Sequence, residues 1–168
     1  PTTLFSFPGY GDARDVAVLN GVAYLPTTLI GQVYRFMLAD PFDYAVLGQI
    51  AVPYASGVAV ENKTAHISID SESGGIVTID VADPTSPKTA GFLAFSNNRK
   101  AITVNSGTAY LSGIDDMTIF DVTDPANPQN LQEIFLAEDD NTDIELGPNG
   151  QYAYTASGYE GMIIVDLT

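Results

Sequence analysis

A chain of 168 residues with 45% hydrophobic content and mean hydropathy +0.10 is long enough to bury an ordinary core and too apolar to be disordered. Twenty-one Asp and Glu against 6 Lys and Arg leave a formal charge of −15, which repels nucleic-acid phosphates and anionic membranes alike. The absence of cysteine excludes disulfide scaffolds and thiolate metal sites, and no apolar run approaches the roughly 20 residues of a membrane span. One domain over residues 1–168 is expected, with no nucleic-acid partner and no membrane insertion. The chain opens at Pro1 rather than Met, which reads as a mature or excised product.

In chain order, Leu4-Phe5-Ser6-Phe7 is an alternating strand, and then one paragraph of sequence repeats four times. A first strand carries Val16, Val58, Ile102 or Ile144 at the matching place. A second strand carries Ala23-Tyr24, Ala65-His66, Ala109-Tyr110 or Ala153-Tyr154, recurring about every 42–44 residues. A third strand is predicted over 32–38, 76–81, 117–122 and 162–167. Asp40-Pro41, Asp83-Pro84 and Asp124-Pro125 stop it in three units, because proline donates no ladder hydrogen bond and restricts the residue before it. A fourth run follows at 44–50, 89–95 and 130–136, rich in β-branched and aromatic residues. The last unit ends at Thr168 without such a run, and Pro1 to Phe7 aligns with the stretches that begin at Pro87 and Pro128. The first strand of the chain is therefore expected to be the missing fourth strand of the last unit.

Four strands per unit at this period is the signature of a β-propeller blade, since one such sheet cannot bury both faces alone. The expected fold is all-β, a propeller of four four-stranded antiparallel blades over about 12–51, 54–95, 98–136 and 140–168 plus 1–8. A solenoid is the competing repeat architecture, with shorter rungs and parallel pairing. Closure can come from the chain's own N-terminal strand, from a homodimer that completes a larger ring, or from the remainder of a larger propeller of which this is a part.

The residues Gly75-Ile76-Val77-Thr78-Ile79-Asp80-Val81, followed by Asp83-Pro84 and Pro87, and again Gly161-Met162-Ile163-Ile164-Val165-Asp166-Leu167, resemble the LVIVD repeat. Asp116 replaces the glycine in the third unit, and the first unit has no second proline after Asp40-Pro41. The resemblance implies a β-propeller at a cell surface or outside the cell, and it carries no catalytic motif.

His66, the sole histidine, stands where other units carry Tyr24, Tyr110 and Tyr154, so it is expected as a packed strand residue with a polar tip. Asp80, Asp121 and Asp166, with Asp83 and Asp124, recur at equivalent places, which suits carboxylates accepting hydrogen bonds from turn amides. The acidic loop 138–143 has no counterpart in other units. Two readings stand for it: a solvated loop, or a calcium site through Asp139, Asn141 and Asp143, whose oxygens are the hard donors that Ca²⁺ prefers. An EF-hand it is not, because Ile144 and Gly150 occupy the places of its glycine and its last glutamate. Asn62-Lys63-Thr64 also fits an N-glycosylation acceptor.

Propeller connectivity puts the loops 8–12, 53–56, 96–99 and 137–141 on one face with 26–30, 70–74, 113–115 and 157–160. That face gathers Tyr10, Tyr54, Asn97, Asn98, Arg99 and Tyr159, which differ most between units, and loops on a rigid scaffold are where recognition resides. Tyrosines with amides stack on sugar rings and bind hydroxyls, or form a protein-binding patch with an arginine anchor. The expected function is thus a binding or scaffold module for a protein or carbohydrate ligand. The alternative is a hydrolase or lyase using two carboxylates at the central channel, with pKa values pushed apart.

Overall fold

The computed structural model describes residues 12–27, 32–37, 46–96, 98–136 and 140–168. They form 15 strands in four antiparallel sheets, and there is no helix among the described residues. The first sheet is β1 (Ala17–Leu19), β2 (Val22–Thr27), β3 (Gln32–Met37) and β4 (Val46–Ala51). β5 (Ala55–Glu61), β6 (Thr64–Ile69), β7 (Gly75–Asp80) and β8 (Lys88–Ala94) make the second. β9 (Arg99–Asn105), β10 (Thr108–Gly113), β11 (Asp116–Asp121) and β12 (Gln129–Phe135) make the third. The fourth has β13 (Asn141–Leu146), β14 (Tyr152–Ser157) and β15 (Gly161–Asp166). Every pairing is an antiparallel meander in sequence order, which rules out the parallel rungs of a solenoid.

The hairpin between first and second strands turns on Asn20-Gly21 and Ser106-Gly107, where both central residues have φ between +51° and +77°. Such turns carry the twist that right-handed strands need, and glycine at the second place takes the left-handed backbone without strain. The third and fourth strands shift register at equivalent places, Arg35/Phe36, Thr78/Ile79 and Ile119/Phe120, so the same bulge bends each outer strand.

The described residues hold three separate apolar clusters rather than one core. One cluster joins the first two units through Tyr24, Val52, Val58, Ile67 and Ile79. A second joins units two and three through Ile76, Ile102, Leu111 and Phe120, and a third joins three and four through Met117, Ile144, Ala153 and Val165. Each inner sheet thereby buries both faces, which is why β6 and β7 are buried along nearly their whole length while β12 stays mostly exposed. First strands β1, β5, β9 and β13 pack side by side in that order. Their approach is close: a Cβ at Gly57 would lie 2.9 Å from Ala101 Cα.

Polar contacts cross the same seams. Asp15 accepts from Val58 N at 2.8 Å, and Ser68 Oγ donates to Lys100 O at 3.2 Å. Glu61 accepts from Ser106 N and Gly107 N at 2.7 and 2.9 Å. Thr78 Oγ1 donates to Pro125 O, the carbonyl against which a Cβ at Gly91 would collide. On β15, Met162 and Ile164 are 62% and 54% exposed, and no strand pairs with its outer edge among the described residues. Residues 4–7, expected there, lie outside the described residues.

Gly91→Ala should therefore be destabilising although it sits on an outer strand, because the methyl has only main chain of the next unit to push against. A loss of about 1–3 kcal/mol is expected from urea unfolding midpoints, and an unchanged midpoint would refute the seam.

Candidate functional site

Among the described residues, the loops from outer to inner strands and from second to third strands lie at one end of the sheets. Between β4 and β5, Tyr54 is held at φ +58° with 60% of its surface exposed. For a bulky side chain this is a strained backbone, and such strain persists only where surroundings enforce it. Tyr54 O accepts from Asp70 N at 2.9 Å, which locks the loop to the β6–β7 turn. Tyr54 lines a hollow of about 360 Å³ whose walls also include Pro53, Ile69, Val77 and the exposed ring of Phe92. An aromatic platform beside an apolar hollow can stack on a sugar face or seat an apolar side chain.

Near it opens a second cavity of about 350 Å³. Arg14, Ser56, Lys100 and Thr142 line it from the same position of each unit, two residues before Val16, Val58, Ile102 and Ile144. The next position contributes Asp15, Ala101 and Asp143. Four equivalent positions facing one cavity is the geometry of inner strands around a channel. Both of its cations have carboxylate partners: Arg14 lies 3.8 Å from Asp70, and Lys100 pairs with Asp140. Asp15 caps Val16 N at 2.7 Å as well as Val58 N, while Asp143 caps Ile144 N at 2.9 Å.

Arg99 requires a correction. Expected as a recognition residue, it is 0% exposed, donating to Asp116 Oδ1 and, at 3.2 Å, to Ser96 O. Its guanidinium also lies 4.8 Å from the Phe95 ring centroid. A buried guanidinium must be paired, and Asp116, which replaces the repeat glycine of this unit, supplies the charge. Glu133 stands beside the pair, and its pKa is raised by the hydrogen bond it shares with Asp116 and then by burial. Tyr159 is fully exposed on the loop between β14 and β15, and Asn98 is half-buried. Tyr10 and Asn97 lie outside the described residues.

Of the three expected calcium ligands, two lie among the described residues. Asn141 is buried and turns its Nδ2 to Ile114 O at 3.2 Å, and Asp143 caps its neighbour's amide. Asp139 lies outside the described residues, among which no group of three or more His, Asp or Glu is placed to hold a metal ion. The recurrent aspartates do the turn work their repetition implies. Asp80, Asp83, Asp121, Asp124 and Asp166 each accept from the amide two residues on, at 2.9 to 3.0 Å. The hydroxyl and then the amide of Thr123 lower the pKa of Asp121, and the amide and then the hydroxyl of Thr168 lower that of Asp166.

Sequence reasoning missed the ring of Arg14, Ser56, Lys100 and Thr142. Its signal was available in register, at a fixed offset from a repeating aliphatic residue, but the side chains are unlike one another and no motif marks them.

The LVIVD repeat matches residues 54–93 and 146–167, so the chain carries LVIVD repeats in its second and fourth units. No curated protein matches the sequence. Among solved structures, Kuenenia stuttgartiensis hydrazine synthase is 11% identical with a TM-score of 0.78, over 92% of this chain and 46% of that one. A 6-phosphogluconolactonase-like protein of Bacteroides uniformis is 17% identical with a TM-score of 0.79, over 95% and 54%. The computationally designed Ika4 protein is 8% identical with a TM-score of 0.75, over 100% and 99%. The fold is a β-propeller, and at these identities the likeness is of fold alone. The chain spans about half the length of the two natural proteins.

His66 on β6 is 2% exposed, as a packed strand residue should be. Burial lowers its pKa from 6.5 to about 4, with Glu61 pulling weakly upward. The unfolded chain takes up a proton near pH 6.5 and the fold refuses it, so this contribution is complete above that pH and is lost as pH falls towards 4. In urea titrations the wild type should lose up to about 3 kcal/mol more than His66→Tyr between pH 7 and pH 4. Equal acid sensitivity in the two would contradict a neutral buried imidazole.

Proposed function

We propose that this chain is a four-bladed binding propeller, closed by pairing of residues 4–7 with β15, that works at a cell surface or outside the cell. Its loop face takes a protein or carbohydrate ligand, with Tyr54 as the platform. The observation that carries the reading is Tyr54 itself: a large aromatic held at φ +58° yet 60% exposed, lining a hollow it shares with Phe92. Nothing in its own packing calls for a tyrosine at a left-handed position, whereas presentation to a ligand does. The LVIVD repeats support the surface setting, and the exposed edge of β15 supports closure, since native sheets avoid open apolar edges.

Carboxylate chemistry at the channel mouth gains no comparable support. Asp15 has both oxygens committed to main-chain amides, and Asp143 caps Ile144.

Tyr54→Gly separates binding from folding, because glycine adopts the local backbone freely. Its stability should match or exceed wild type within about 1 kcal/mol. On a glycan array and a panel of surface proteins, the ligands captured by wild type should be lost or weakened at least about tenfold in the variant. Undiminished capture by Tyr54→Gly would overturn the reading.

A further inference from the structure

We propose that the opposite end of the sheets carries a row of inter-unit clefts that bind a neutral, unbranched glycan chain, one sugar to each cleft. Two clefts are on view, about 410 Å³ between units two and three and about 300 Å³ between units one and two, within the size of small-ligand sites. They are built alike. Asn62, Thr64 and His66 in the larger stand where Asn20, Val22 and Tyr24 stand in the smaller, and the facing Asp-Pro turn brings Pro125 to one and Pro84 to the other. Asn62 lines both, so the clefts adjoin. A ligand that extends from one into the next must itself repeat.

The chemistry of the larger cleft selects hydroxyls. His66 closes the floor of the cleft as a neutral ring, held so by its burial, with its Nδ1 sealed from solvent, so the ligand meets the side chains above it. Thr64 and Thr123 add hydroxyl groups, and the Thr123 hydroxyl already donates to Asp121 at 2.6 Å, which leaves its oxygen to accept. Val122 and Pro125 offer an apolar wall for the C–H face of a ring. Glu61 holds a carboxylate at the rim through Ser106 N and Gly107 N, which disfavours anionic chains on a protein of charge −15. A peptide would seek main-chain partners, and here these are spent on the fold: Val81 N on Lys63 O and Val122 N on Gly107 O, both at 2.8 Å. Each sugar hydroxyl both donates and accepts, as these side chains require.

The site lies at the far end of the strands from Tyr54, so it stands or falls separately from the loop face. The test is NMR titration of the whole chain with cellohexaose, maltohexaose and mannohexaose, and with the disaccharide of each. At least one hexasaccharide should shift the His66 ring and Asn62 amide signals and bind at least about tenfold more tightly than its disaccharide, the gain from a second linked cleft. Asn62→Gly, compatible with φ +55°, should weaken it about tenfold with the fold intact. The proposal is overturned if no hexasaccharide shifts these signals, or if the shifts gather around Tyr54. It is equally overturned if polygalacturonate or an alanine-proline peptide shifts them instead.

Discussion

Everything in this molecule depends on sheets that must bury both faces against their neighbours. A lone four-stranded meander has one exposed side whichever way it curls, and its interior here has no core of its own. The apolar clusters all lie across seams: Ile76 packs with Ile102 and Phe120, and Met117 with Ile144 and Val165. Stability is therefore a sum over interfaces, as in other repeat proteins, and the main chain must come close enough to make them. Small residues on the first strands follow from that requirement, as at Gly57, where an added Cβ would lie 2.9 Å from Ala101 Cα.

The polar groups obey the same constraint. A seam that excludes water leaves any unpaired donor or acceptor costly, so carboxylates and hydroxyls reach across to main chain: Asp15 to Val58, Glu61 to the Ser106-Gly107 turn, Ser68 to Lys100. Arg99 is the extreme case. Placed where the third unit meets the loop face, it needed a charge partner, and the departure of Asp116 from the repeat glycine provides one. What reads as a defect in the repeat is a compensation.

The repeat made the fold legible, because Ala-aromatic pairs, Asp-Pro stops and aliphatic positions each recur at one place per unit. The turn aspartates were legible for the same reason. Third strands observed as Gly75–Asp80 and Asp116–Asp121 end one residue before expectation, since Val81 and Val122 still bond through their amides but lie past the ladder. The site was harder. Tyr54 stands out in the sequence because it is unlike its equivalents, whereas the burial of Arg99 was not legible because it depends on Asp116, 17 residues away, and no local pattern shows which way a loop arginine turns. The ring around Arg14 and Lys100 and the clefts sharing Asn62 exist only between units. Periodicity within one unit does not display them.

The proposed closure of the ring joins the fold to the binding reading, since a face assembled from four units requires that the last unit meet the first. Under that proposal, the sequence equivalence of 161–166 with 75–80, and of Pro1 with Pro87, would set Phe7 opposite Met162, as Leu93 stands opposite Ile76. Because the chain has no cysteine, a Phe7→Cys, Met162→Cys double variant reports on this pair without interference. Under mild oxidation, non-reducing electrophoresis should show a cross-linked monomer that migrates faster than the reduced chain. A cross-linked dimer, or free thiols at both positions in folded protein, would contradict closure within the chain.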